Sequence, residues 1–156
     1  MSDIAAMTAS YLDATSVFLT AASKITEATL DRRLRDGWSA RQIVHHMADS
    51  EAQSYARLRR LLAEPGAVIQ GYDEDAWSRS PKLGYETLPI EHPLAVFAAV
   101  RAASADLLGR LQPSDLDLHG EHTEIGRYTV AEWIRIYSDH PRDHAEQLLQ
   151  ALGAEQ

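Results

Sequence analysis

His140 and His144 stand four residues apart, and that spacing places two imidazoles one turn apart on the same side of a helix, close enough to hold one ion. At about 100° per residue, Trp133, Tyr137, His140, His144, Leu148 and Ala151 fall within an arc of about 80°. The two rings therefore face the core. Two unpartnered imidazoles on an inward face are costly, and a shared cation explains their placement. Two ligands are too few for a tight site, so a third must come from another helix. His45 and His46 are the candidates. Measured from Ile43 on the apolar stripe, His46 lies about 60° away, and His45 lies about 160° away, towards solvent. His46 is the expected third ligand. Three histidines leave coordination positions open for water or substrate, the pattern of a catalytic rather than a structural metal.

Other residues are candidates for supporting roles. Asp49 lies one turn beyond His46 and can serve as an acceptor behind the ligands or as a general base; a solvated or capping carboxylate is its ordinary alternative. Tyr72, Trp77 and Tyr137 are candidates to line a substrate pocket, with core packing as the alternative. His92, just before Pro93, reads as a helix cap, and His119 and His122 read as loop histidines before the last helix. The chain has no cysteine, which excludes disulfides, thiolate metal sites and a cysteine nucleophile and suits a reducing cytoplasm. Any metal rests on the seven histidines and the carboxylates. Imidazole suits Zn, Ni, Fe and Mn.

These residues must be positioned by helices. The 156 residues suit one domain, 1–156, and four segments carry helical period with almost no strand alternation. The first runs from Asp3 to Ile25, with Ile4, Met7, Tyr11, Ala14, Phe18 and Ala22 on one stripe. Thr29 to Gly37 reads as a turn or an extra helical turn. The second helix opens at Ser39, which with Gln42 matches a capping box, and Pro65-Gly66 stops it. A long connection follows to His92. The third helix starts near Pro93. The fourth follows a second capping box at Thr129 and Glu132 and ends at Gly153. Pro141 falls inside it, withholds the bond to the Tyr137 carbonyl and predicts a kink. Short outer loops and one long crossover between helices two and three predict an all-α four-helix bundle.

Composition narrows the function. A formal charge of −8 argues against nucleic-acid binding through a basic surface. No apolar run approaches the ~20 residues that span a bilayer, and the acidic N-terminus does not read as a secretory signal.

The stretch Gly37-Trp38-Ser39-Ala40-Arg41-Gln42-Ile43-Val44-His45-His46-Met47-Ala48-Asp49-Ser50 resembles the helix-two signature of the DinB/YfiT-like family. Tyr72-Asp73-Glu74-Asp75-Ala76-Trp77 resembles a stretch of the YfiT branch. Tyr128-Thr129 with Glu132, then His140-x-x-x-His144-x-x-Gln147, resembles the family's C-terminal helix motif. The resemblance implies an up-down-down-up bundle, often a homodimer, with a divalent metal on three histidines that map to His46, His140 and His144. It also implies a metal-dependent hydrolase, in which the metal activates water. Some members of the family it resembles are instead thiol-dependent S-transferases or isomerases, and a non-catalytic metal-binding bundle is a third expectation.

Overall fold

The computed structural model describes residues 4–154. Helix α1, Ile4–Ala22, buries Tyr11, Ala14 and Phe18, the stripe its sequence spacing predicts; a start at Asp3 lies outside the described residues. It ends three residues before Ile25, where the Thr29 hydroxyl accepts from the Thr26 N–H at 2.9 Å and offers the backbone a turn instead of a helix. Turns, without an extra helix, lead on to Ser39.

Helix α2, Ala40–Ala63, opens on the expected capping box. The Gln42 N–H donates to the Ser39 hydroxyl at 3.2 Å, and the Ser39 N–H donates to Gln42 Oε1 at 2.9 Å. Ser39→Ala removes one of these bonds and is expected to lower stability by about 1 kcal/mol, measured by urea unfolding.

The connection 64–90 holds strand β1, Val68–Ile69, and the short helix α3, Glu74–Arg79, capped by Asp73. Helix α4, Glu91–Leu108, begins two residues before Pro93. Its N-cap is Ile90, with no side-chain cap bond, so His92 does not cap it and instead sits, exposed, in the first turn. A 3-10 turn, Pro113–Asp117, leads into strands β2, His119–His122, and β3, Gly126–Thr129. Helix α5, Val130–Leu152, follows with its capping box formed by Thr129 and Glu132.

The three strands form a small sheet that sequence periodicity does not reveal. β1 pairs parallel with β2, and β2 pairs antiparallel with β3. Strands of two and four residues are too short to carry an alternating pattern. Gly120 permits the close approach: a Cβ there would come within 2.5 Å of the Ala67 carbonyl oxygen.

Four long helices make the bundle. α1 packs on α5 and α4, and α2 packs on α4 and α5. One core cluster joins Tyr11, Leu58, Leu61, Leu108, Trp133 and Tyr137. A second joins Phe18, Ile43, Met47, Phe97, Leu148 and Ala151. The N-terminal parts of α2 and α4 therefore share an end with the C-terminal parts of α1 and α5. Between the clusters lie buried polar groups, among them Glu51 and Arg101, which are 0% and 1% exposed. No helix among the described residues is long and apolar enough to cross a membrane.

Candidate metal centre

His46 lies in the second turn of α2 and is fully buried. His140 and His144 lie one turn apart on α5. The fold brings all three together: each offers a ring nitrogen, and these atoms lie within 4.8 Å of one another. His46 Nε2 and His140 Nε2 are 3.2 Å apart. The ring centroids are 4.6 Å apart for His46 and His144 and 4.4 Å for His140 and His144. Trp38 closes one side, with its ring 4.7 Å from that of His46 and stacked at 6.3 Å on that of His144.

The cluster is electrostatically prepared for a cation. Burial, then the charge of His144, holds His46 down at about 3. Burial, then His144, His46 and Arg101, holds His140 at about 2. Burial lowers His144 as well, against the opposing effect of its bond to Gln147. All three rings are thus neutral at pH 7 with lone pairs available, as a metal ligand requires. Among the described residues this is the one such cluster of histidine and carboxylate groups. An all-imidazole donor set fits a borderline transition-metal ion better than Mg or Ca.

Gln147 supports the cluster from behind. His144 Nδ1 and Gln147 Oε1 are 2.7 Å apart, a bond that fixes the tautomer with Nε2 free to face the other rings. Gln147→Ala is expected to weaken divalent-metal binding 10–100-fold, measured by metal titration of the untagged protein. Nothing in the chemistry of a lone glutamine singles it out, but its place three residues after His144 puts it on the same face.

The other expectations divide. His45 does not face solvent: it is buried, its Nε2 lies 3.2 Å from the Leu88 carbonyl oxygen, and its ring stacks on Tyr85. The connection 64–90 lies against this side of α2, and a one-faced helical wheel does not anticipate a second cover. Asp49 makes no hydrogen bond to the three histidines. Its carboxylate accepts from the Tyr85 hydroxyl at 2.6 Å, and burial pushes its pKa up. Together with His45, Leu88, Pro89 and Val96 it lines an apolar surface pocket of about 420 Å³ that none of the three histidines lines. Tyr137 is buried and meets His140 edge-on at 6.4 Å. Tyr72 packs on Trp77 at 4.7 Å, so these two tie the connection together. His119 and His122 sit on β2, where His119 Nδ1 lies 3.2 Å from the Asp117 carbonyl oxygen and His122 Nδ1 accepts from the Glu124 N–H at 3.2 Å; neither joins the cluster. Pro141 does not break α5, which runs unbroken through it.

A bundle of four helices with three inward imidazoles at one level defines a helical protein with a candidate transition-metal centre. The chain belongs to the DinB superfamily, whose family model matches residues 11–148. It is 36% identical over 116 residues to a protein of Oceanobacillus iheyensis named "Putative metal-dependent hydrolase", an alignment covering 74% of this chain and 66% of that one. A protein of the same name from Bacillus mycoides is 33% identical over 108 residues, covering 69% of this chain and 61% of that one. The chain thus spans somewhat under two thirds of the length of these curated relatives. Among solved structures it is similar to YfiT from Bacillus subtilis, described as "a probable metal-dependent hydrolase with an unusual four-helix bundle topology". The TM-score is 0.83, at 26% identity, over 99% of this chain and 91% of that one. TT2238, a four-helix bundle protein, shares the fold at 19% identity and a TM-score of 0.66 over 95% of this chain and 99% of that one.

Proposed function

We propose that the chain is a metal-dependent hydrolase holding one divalent transition metal, Zn, Ni, Fe or Mn, on His46, His140 and His144. The observation that carries this reading is the convergence of three ring nitrogens within 4.8 Å of one another, on a buried His46 and the half-buried His140 and His144. Three protein ligands would leave room for substrate, and a metal there would supply Lewis-acid chemistry, polarising a carbonyl or phosphoryl oxygen and activating water. The chain's own residues hold and shield the site. Trp38 covers His46 and His144, Gln147 orients His144, and Tyr137 walls off His140. Asp49, tied to Tyr85, holds the connection against α2 in this reading. A cytoplasmic homodimer suits it, with a solution mass of twice 17.3 kDa as the check on assembly.

Elemental analysis of untagged protein tests the proposal. Wild type is expected to carry near-stoichiometric divalent metal and His144→Ala to lose most of it. The metal-loaded wild type is then expected to turn over a member of an ester, amide or phosphoester panel, with turnover abolished by a chelator. Equal and negligible metal in both proteins would rule the site out.

A second reading, transfer of a small thiol, draws on Arg57. Arg41 is occupied by Asp31 and Arg142 by Asp13. Arg57 instead donates to the Tyr137 hydroxyl at 3.2 Å and to the Gln70 carbonyl at 2.9 Å, and its Nε has no hydrogen-bond partner, so of the three it is the guanidinium left for a carboxylate of the thiol. Turnover of an electrophile only when a small thiol is supplied would select this reading over hydrolysis.

A further inference from the structure

Pro141 sits in α5 between the two histidines of that helix. Proline has no N–H, so the carbonyl of Tyr137, four residues earlier, loses its helical donor, and the ring crowds that same carbonyl. The missing donor comes from another helix. Arg101 Nη1, on α4, donates to the Tyr137 carbonyl oxygen at 2.6 Å.

That guanidinium is 1% exposed and binds each of the other three long helices of the bundle. Nε donates to the Thr15 hydroxyl at 2.8 Å and Nη2 to the Tyr11 carbonyl at 2.7 Å, both on α1. Nη1 also donates to Glu51 Oε1 on α2 at 3.1 Å. Its charge lies 3.4 Å above the Tyr11 ring. A buried ion pair is a poor way to gain stability, and apolar residues of similar volume often do better. A proline inside a helix is also unfavourable. Found together, and joined by one hydrogen bond, the two define a fixed point in α5. Tyr137 is three residues before His140, so the position of its carbonyl sets the turn that carries the cluster.

We propose that Arg101 is a positioning residue for the metal centre: it supplies the hydrogen bond that Pro141 withholds and thereby fixes the turn of α5 that aims His140 and His144 at His46. The proposal rests on the metal-binding reading above. A merely structural Arg101 affects unfolding and leaves the metal affinity of the folded protein unchanged; a positioning Arg101 moves both.

Four untagged proteins separate these cases: wild type, Pro141→Ala, the paired Glu51→Met/Arg101→Met variant, and the three substitutions together. Changing both charged residues at once avoids an unpaired buried ion. Each is titrated with Zn²⁺ alone and unfolded in urea with chelator present. The paired variant is expected to bind Zn²⁺ at least tenfold more weakly than wild type. Adding Pro141→Ala is expected to recover at least threefold, because the alanine N–H donates to the Tyr137 carbonyl. A folded paired variant within twofold of wild type overturns the proposal, as does the absence of any recovery. Should the paired variant fail to fold, Arg101→Lys keeps the charge beside Glu51, but one ammonium cannot serve four acceptors spread over three helices. The same loss and the same rescue are expected there, and their absence overturns the proposal. If wild type binds no Zn²⁺, the metal reading fails, and the unfolding data still decide the rest. Pro141→Ala must then stabilise the paired variant more than it stabilises wild type; equal effects overturn the proposal.

Discussion

Metal-free protein is expected to lose stability steeply as pH falls below about 6.5, the ordinary value of a histidine in an unfolded chain. Burial holds His46 at about 3 and His140 at about 2 in the native state, and lowers His144 in the same direction. Above pH 6.5 these rings are neutral whether the chain is folded or not, and they contribute no pH dependence. Between 6.5 and the native values, the unfolded chain takes up protons that the native cluster refuses. Unfolding then gains up to about 1.4 kcal/mol per histidine for each pH unit. His46 and His140 together therefore account for up to about 3 kcal/mol per unit, a large share of the 5–15 kcal/mol typical of a folded domain. Glu51 and Asp49, whose carboxyls burial pushes up, act in the opposite sense from their ordinary values upward. Urea unfolding with chelator at pH 7.0, 6.0 and 5.5 measures the effect. The midpoint is expected to fall at each step, and His140→Gln is expected to flatten the fall. A midpoint that stays level from pH 7.0 to 5.5 in wild type would contradict the burial of these rings. Metal at saturating concentration binds the native state and is expected to raise the midpoint at pH 7.0.

The same cluster shows how far local sequence reaches. His140 and His144 are legible because both lie on one helix and their i,i+4 spacing is fixed by helical geometry. His46 follows from an angle measured along α2. The capping boxes at Ser39 and Thr129 are legible for a similar reason, since each is completed within four residues. What fails is whatever depends on a distant segment. His45 is buried because Tyr85 and Leu88 come to it from the connection, and nothing near His45 announces them. The sheet depends on β1 meeting β2 across some fifty residues of chain. The donor that Pro141 withholds from the Tyr137 carbonyl comes from Arg101, forty residues away.

Arg101 and Glu51 themselves left a trace in the sequence. Phe97, Arg101, Ser104 and Leu108 on α4 are spaced four, three and four, all buried. Met47, Glu51, Ser54 and Leu58 on α2 repeat that spacing, again all buried. On each helix a charged residue and a serine occupy consecutive core positions of an otherwise apolar stripe. A single charged residue on a core stripe reads as a gap in the pattern; opposite charges in the same register on two helices read as a pair. Charges in such positions rarely stay buried unless partnered. The pattern is visible once α2 and α4 are known to be neighbours, and that adjacency is a property of the long connection rather than of either helix.

Glu51→Ala is accordingly expected to be among the most damaging single substitutions in the chain, costing about 3–5 kcal/mol because it leaves a buried guanidinium with neither its counter-charge nor its acceptor on α2 and empties a buried position. Glu51 is 0% exposed, and both carboxylate oxygens are engaged: Oε1 accepts from Arg101 and Oε2 from the Ser54 hydroxyl at 2.8 Å. Burial raises its pKa, and Arg101 and Ser54 pull it back. Glu51→Gln keeps an acceptor for Arg101 and a partner for Ser54 while removing the charge, so its cost is that of weakening a charge-assisted bond, about 1–2 kcal/mol. In a domain of this size 1 kcal/mol moves Tm by roughly 2–4 °C, which separates the two variants in a thermal melt. Equal, small shifts for Ala and Gln would mean that the carbonyls of Tyr11 and Tyr137 already compensate the guanidinium, and Arg101 would then be held by its backbone partners rather than by the ion pair. The cost of Gln measures the counter-charge, and the larger cost of Ala adds the acceptor and the packing that hold Arg101, and through it the turn of His140, where the cluster needs them.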